Sequence, residues 1–372
     1  MSKAAELAKM GEVLTNSQIG GRRNIVINGA MQVSQRSTSV SSITATGYHA
    51  LDRFKLLYTD AGTWTMSQSS TTPNGFGNSL KLDCTSAKSS LASDSRLFLM
   101  TSIEGQDVQQ FKKGTSDAEQ YTLSFHVRSN KTGTYQVNIE DNDNIRIVGS
   151  TYTISSANTW EKKEITFVAD TTGAFANDTG DSLAIMWALV AGTDNSSGAV
   201  PTAWESKVNT DRGAGLGVNL ADSTDNEWYI TGVQLEVGSQ ATPFEHRSFG
   251  EELQLCQRYY YERCGSGTAL GVDPYHWVMN GIAYNTTLGV GGLGFPVNMR
   301  ATPTLGYSAV AHFQKNSAGR GDAVTAINLY DGTENATTAT AYIQFNSSNS
   351  TAGGAFMQTV NASARLNFDA EL

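Results

Sequence analysis

The chain predicts an all-β protein: two β-sandwich or jelly-roll-like domains joined by a short α-helix, with a short amphipathic helix ahead of them. Three observations point there. Glycine is abundant (36) while charged residues make up only 16% of the 372 positions, a composition suited to many short strands and turns. Tyr121, Leu123, Phe125 and Val127 alternate with Thr122, Ser124, His126 and Arg128, the period-two signature of a strand. Residues 183–190 are apolar on both faces, as in a central strand covered on both sides.

The elements follow in order. Residues 1–21 hold a helix and a Gly20-Gly21 linker; Leu7, Met10 and Leu14 share a helical face with Val13 beside it. A helix this short is marginal alone, so these residues are expected to anchor the chain on another surface. The first β domain spans 22–247. After 121–128, a turn at 130–133 and the alternation of Tyr135, Val137 and Ile139 predict a hairpin. Short strands are expected around Ile165 and Phe167, at 183–190 with Trp187, at 218–220 and at 228–237. In the last of these, Val233, Leu235 and Val237 alternate with Gln234 and Glu236, which predicts a half-buried strand. Residues 248–264 predict the connecting helix: Ser248 and Glu251 have capping-box spacing, and Leu253, Cys256 and Tyr260 share a face broadened by Leu255 and Tyr259. Leu253, Tyr259 and Tyr260 are the assembly candidates there. The second β domain spans 265–372, with strands expected at 282–288, 295–299, 304–313, 323–330, 339–345 and 364–368.

Several function classes are disfavoured. The formal net charge is −9, with no concentrated Lys/Arg footprint for phosphate or an anionic membrane. No apolar run reaches transmembrane length, and the N-terminus does not read as a signal peptide. Three cysteines are too few for a disulfide framework; Cys84 falls on a core parity. The five histidines have no ligand spacing, and His126 falls on the outward parity of its strand. Gly289-Val-Gly-Gly-Leu-Gly294 matches a dinucleotide fingerprint in letters only, since no helix follows, and reads as a glycine-rich turn. Glu140-Asp141-Asn142-Asp143 reads as a solvated hairpin tip, with calcium as the lesser alternative. Asp52-Arg53 reads as a structural ion pair or hydrogen-bond set. No cofactor or metal is expected.

Four segments resemble bacteriophage tail-fibre and related virion proteins. They are 24–36 (Asn-Ile-Val-Ile-Asn-Gly-Ala-Met-Gln-Val-Ser-Gln-Arg), which looks like the family's opening strand; Tyr48 with Asp52-Arg53-Phe54; the 232–260 junction; and Phe295-Pro-Val-Asn-Met-Arg-Ala-Thr-Pro-Thr-Leu305, which looks like a strand-turn-strand. The resemblance implies a carbohydrate-binding-module-like jelly roll as first domain. It implies a virion structural protein, usually trimeric, made in the host cytoplasm, that contacts a host surface glycan or protein and binds other virion proteins through its N-terminal segment. The charge balance and the lack of a transmembrane-length run predict neither nucleic-acid binding nor membrane insertion, and the missing catalytic motifs predict no enzyme. The alternatives are a capsid-decorating fibre or tail adaptor without a receptor, and a polysaccharide depolymerase with paired carboxylates. Sugar binding calls for exposed loop aromatics; Trp204, Tyr275 and Trp277 are the candidates, with a lid over a core as the other reading of each.

Overall fold

The computed structural model describes Lys3, 23–263, 277–285, 287–317, 320–330, 337–347, 353–361 and 363–372. Leu7, Met10, Leu14 and Tyr275 lie outside these residues. The chain divides into two compact units, Met1–Phe249 and Gly250–Leu372, and the all-β class holds in both.

The first unit is a β-sandwich. Its strands are β1 (Ser39–Ile43), β2 (Gly47–Tyr48), β3 (Lys55–Thr59), β4 (Thr63–Ser69), β5 (Ser79–Ser86), β6 (Arg96–Glu104), β7 (Tyr121–Ser129), β8 (Gly133–Asp141), β9 (Arg146–Ile154), β10 (Glu161–Phe167), β11 (Asp181–Ala191), β12 (Glu205–Ser206) and β13 (Glu227–Val237). A one-turn helix α1 (Thr193–Ser196) follows β11. One sheet runs β1-β4-β5-β13-β7-β10 and the other β12-β9-β8-β11-β6-β3-β2. Their inward side chains interdigitate in one core around Trp64, Trp187, Trp228, Phe125 and Tyr135. Burying each large side chain contributes on the order of 2 kcal/mol. As predicted, β11 is central and doubly covered: Ala184, Met186 and Ala188 pack on its outer side with Phe98 and Met100 in a second cluster.

Residues 218–220, expected as a strand, instead lead into a 3-10 turn at Leu220–Asp222, and four further expectations in this unit are corrected. First, β7 and β8 form no hairpin, because they belong to opposite sheets. The linking residues are held by the start of β13 instead: Ser129 Oγ donates to the Glu227 carbonyl, and the Glu227 N–H to Asn130 Oδ1. Second, 24–36 is no strand but a folded turn with Asn28 and Met31 at positive φ. Gly29 is required there, since a Cβ would lie 2.1 Å from the Val233 carbonyl oxygen. Third, β13 is buried on both faces. Residues 238–247 fold over it, with Glu236 accepting from the Thr242 N–H and hydroxyl and Gln234 Oε1 accepting from the Glu245 N–H. Glu245 in turn accepts from the N–H groups of Arg23 and Asn24, which ties the entry of the unit to its exit. Fourth, His126 is half-buried against Phe76, with ring centroids 5.2 Å apart. Burial, helped by Lys162, lowers its pKa.

Asp52 and Arg53 act as the hydrogen-bond set: Asp52 accepts from Gln35 at 2.9 Å and 2.5 Å, and Arg53 donates to the Ser102 carbonyl.

The second unit starts with α2 (Phe249–Gln257) and continues through β14 (Tyr260–Glu262), β15 (Trp277–Ala283), β16 (Leu288–Gly294), β17 (Thr304–Tyr307), β18 (Phe313–Ser317), β19 (Arg320–Leu329), β20 (Thr340–Ser347), β21 (Gly353–Thr359) and β22 (Leu366–Asp369). The 248–264 helix is thus corrected to nine residues. The tyrosine run favours extended backbone, and Tyr260–Glu262 pair with β22. Leu253 is half-buried on α2, whereas Tyr259 and Tyr260 are buried beyond its end. One sheet runs β14-β22-β17; the other closes as a barrel, β15-β16-β20-β19-β18-β21.

The glycine run expected as a turn is β16 itself. Gly289 and Gly291 face inward, where a Cβ would meet the Phe345 ring at 2.3 Å and Met279 Sδ at 2.7 Å. Small residues there leave room for large ones opposite, as a narrow barrel requires. Residues 295–299 form a loop, not a strand, and β21 was not anticipated.

Candidate functional site

Strand parity assigns the outer face of β15, β16, β20 and β19. Inward go Ala283, Gly289, Phe345 and Ile327, and with them Gly291, Leu293, Ala341 and Ile343. Outward go the residues between, in cross-strand rows. One row runs Tyr284, Leu288, Asn346, Ala326; the next Ile282, Val290, Gln344, Asn328; a third holds Gly292 opposite Tyr342, with the Tyr330 N–H donating to the Tyr342 carbonyl. Asn280, exposed on β15, precedes the Gly281–Gly291 pair and ends this third row.

None of these residues is charged. Three are large, apolar-bodied and open to solvent: Tyr284 is 63% exposed, Ile282 59% and Tyr342 48%. The Tyr284 and Tyr330 rings lie 6.4 Å apart at 58°. Gly292 gives Tyr342 a flat neighbour, since a Cβ there would stand 3.4 Å from its ring. Asn346 Oδ1 is screened from solvent and has no hydrogen-bond partner among the described residues. Chemically, the face can stack rings and exchange hydrogen bonds through amides and phenols. Among the described residues of these rows there is no acid, base or nucleophile poised to react. The signal was present in the sequence: the parity that sends Ala341, Ile343 and Phe345 inward sends Tyr342 out.

The sequence candidates fall elsewhere. Trp204 is half-buried and packs on the first unit's core. Its indole N–H donates to the Val168 carbonyl, and its ring meets Tyr121 edge-on at 6.0 Å. It also covers Lys113, whose Nζ lies 5.3 Å from the centroids of both Trp204 and Phe175. That makes Trp204 a lid. Trp277 opens β15 in the second unit.

Lys113 is the centre of a saturated network. Its ammonium sits 2.6 Å from Asp141 and 3.0 Å from Asp170, and donates to the carbonyls of Thr172 and Gly173 at 2.7 Å each. Burial pushes the Asp170 carboxyl up, but hydrogen bonds from Arg146, Lys113 and the Thr172 N–H outweigh it and leave its pKa below the usual value. Glu140 accepts both arms of Arg212 at 2.7 and 2.9 Å, and Asn142 accepts from Lys207. Residues 140–143 are a solvated tip only in part: Asn142 and Asp143 enter the β8–β9 turn with Asp143 exposed, whereas Glu140 and Asp141 are buried and their oxygens face the internal cations Arg212 and Lys113. A cavity of about 390 Å³ opens beside this network, walled by Val108, Gln109, Lys112 and Phe175.

One carboxylate pair lies close enough to bear on hydrolysis. Asp181 stands directly across from Glu104 in the β11–β6 ladder. Burial raises the Asp181 pKa, opposed by hydrogen bonds from Asn142 and Ser102. Glu104 is fully buried and accepts from Gln106, so it presents no oxygen to a polysaccharide.

No protein-family model matches the chain, and no curated protein matches it by sequence. Among solved structures, the enzymatically active domain of tailspike protein 4 of bacteriophage CBA120 is 15% identical and covers 57% of this chain at a TM-score of 0.30. The match spans 21% of that tailspike chain. The family 11 carbohydrate-binding module of Clostridium thermocellum, in complex with a β-1,3-1,4-mixed-linked tetrasaccharide, is 10% identical over 55% of this chain and 99% of its own, TM-score 0.27. TmCBM61 in complex with β-1,4-galactotriose is 10% identical over 58% and 99%, TM-score 0.27. Likeness at this level identifies neither a family nor a ligand.

Proposed function

We propose that the chain is a non-enzymatic virion protein whose second unit binds a host-surface glycan through the outer face of its barrel. The observation that carries this is the open, uncharged face with Tyr284 and Tyr342. A cluster of exposed apolar surface rimmed by polar groups marks an interaction site. Tyrosine offers a rigid ring with a polar tip at low entropic cost. The C–H face of a pyranose is attracted to the electron-rich face of such a ring, and Asn280, Asn328 and Gln344 each supply an amide donor and acceptor for hydroxyls.

The wider reading rests on the sequence resemblance to phage fibres: a homotrimer, attached to other virion proteins by the N-terminal segment. Three copies of a weak site raise avidity through effective concentration without new contacts. A capsid-decorating or adaptor protein would have this face covered by a neighbouring protein and would bind no sugar. The test is a glycan array probed with the intact chain, alongside Tyr342→Ala. Binding that the substitution removes supports the reading; an array with no binder at any density overturns it.

A further inference from the structure

We infer that the ligand of the barrel face is an uncharged, linear oligosaccharide lying lengthwise along β16, with Tyr342 as its stacking platform and the Asn346 amide at one end. This rests on the glycan reading above. Three features of the face select such a ligand.

First, the described residues of the rows across these four adjacent strands are uncharged, on a chain whose net charge is −9. A carboxylated or sulfated sugar would find no cation here to replace its lost hydration.

Second, the relief is that of a trough. The outward positions of β16 step down from Leu288 and Val290 to Gly292 and Gly294. Flanking strands stand roughly 9 to 10 Å apart across β16. Tyr342 lies on one side of the bare backbone, and Asn280 on the other. Tyr342 and Asn346 lie four residues apart on β20, roughly 14 Å along the strand, so the face suits a short linear run of sugar rings rather than a branched cluster.

Third, Asn346 Oδ1 is an acceptor shut off from water with no partner among the described residues. An unpaired buried acceptor is costly, and turning the Asn346 amide outward beside Tyr284 would let a sugar hydroxyl satisfy it.

The deciding variant is Gly294→Val. A Cβ on Gly294 meets no heavy atom within 4 Å, so the barrel accommodates the side chain, and valine favours a strand more than glycine does. Titration of the intact chain with neutral and acidic oligosaccharides, at low and at high salt, should show neutral ligands alone. Their affinity should be unchanged by salt, because no charges are screened. Gly294→Val should lower that affinity about tenfold or more, a loss of about 1.4 kcal/mol, while the melting temperature holds or rises. Tyr342→Phe should bind like the parent and Tyr342→Ala should not.

Neutral binding untouched by Gly294→Val in a folded protein would overturn the seat on β16. Preference for acidic sugars, weakening with salt, would overturn the ligand class and leave glycan binding standing. Absence of any sugar binding would overturn both this inference and the function it rests on.

Discussion

The outer faces of the two units treat polar side chains in opposite ways. In the first unit those of the central strands are closed by the chain itself: Gln234 and Glu236 lie under residues 238–247, and Glu140 lies under Arg212 and Lys207. In the second unit the rows from Tyr284 to Tyr342 are left open and uncharged. A buried polar group must be satisfied within the fold, and the first unit spends its loops on that. Rich polar chemistry in the first unit marks architecture, and the plain aromatic face of the second is the surface proposed to bind.

The largest expected effect comes from breaking the first unit's closure at its centre. Lys113→Met removes the cation between Asp141 and Asp170 and leaves two buried carboxylates facing each other. Breaking such a pair from one side costs about 3–5 kcal/mol. Urea unfolding followed by tryptophan fluorescence should show that loss, while binding at the barrel is retained. A shift below about 1 kcal/mol would mean the network is no more than a surface ion pair.

The strap over β13 is next. Thr242→Val deletes the hydroxyl that donates to Glu236 at 2.7 Å, a hydrogen bond to a charged group worth about 1.5–3 kcal/mol. Hydrogen exchange should show faster opening at 233–237 than in β11.

A smaller effect is pH-dependent. The Asp181 pKa is raised by burial, so the folded state holds that proton more tightly than the unfolded one. Its contribution to stability is therefore greatest at low pH and is lost as pH rises from about 4 through the raised folded value. Asp181→Asn should flatten this slope of the first unit's stability curve. An unchanged slope would place the titrating group elsewhere.

The smallest stability effect is expected on the open face. Tyr342→Ala, at 48% exposed, should change stability by less than about 1 kcal/mol yet remove binding. A large loss of stability would show that the ring is structural after all.

The contrast also explains what was legible in the sequence. Period two placed β7 and the start of β13, because their inward side chains are apolar, and an unbroken apolar run placed β11. The same rule misjudged Gln234, Glu236 and His126 as solvated, since parity reports which sheet face a residue takes and not whether a distant loop covers it. It misjudged the link between β7 and β8, because a short turn looks alike within one sheet and between two. Trp204 drew notice as a loop tryptophan, but its partners Lys113, Tyr121 and Val168 are far away in sequence. Parity alone sends Tyr342 outward between Ala341 and Ile343, whereas an aromatic on a strand reads by default as core.

The most direct test is ¹⁹F NMR of the intact chain with fluorotyrosine at every tyrosine, assigned by single Tyr→Phe variants and titrated with the neutral oligosaccharide that binds best. Shifts at Tyr284, Tyr330 and Tyr342, with Tyr121, Tyr135 and Tyr229 unmoved, are the result predicted here. Shifts confined to the first unit's tyrosines, or none at saturating sugar, would contradict the claim that the open face of the barrel is the binding surface.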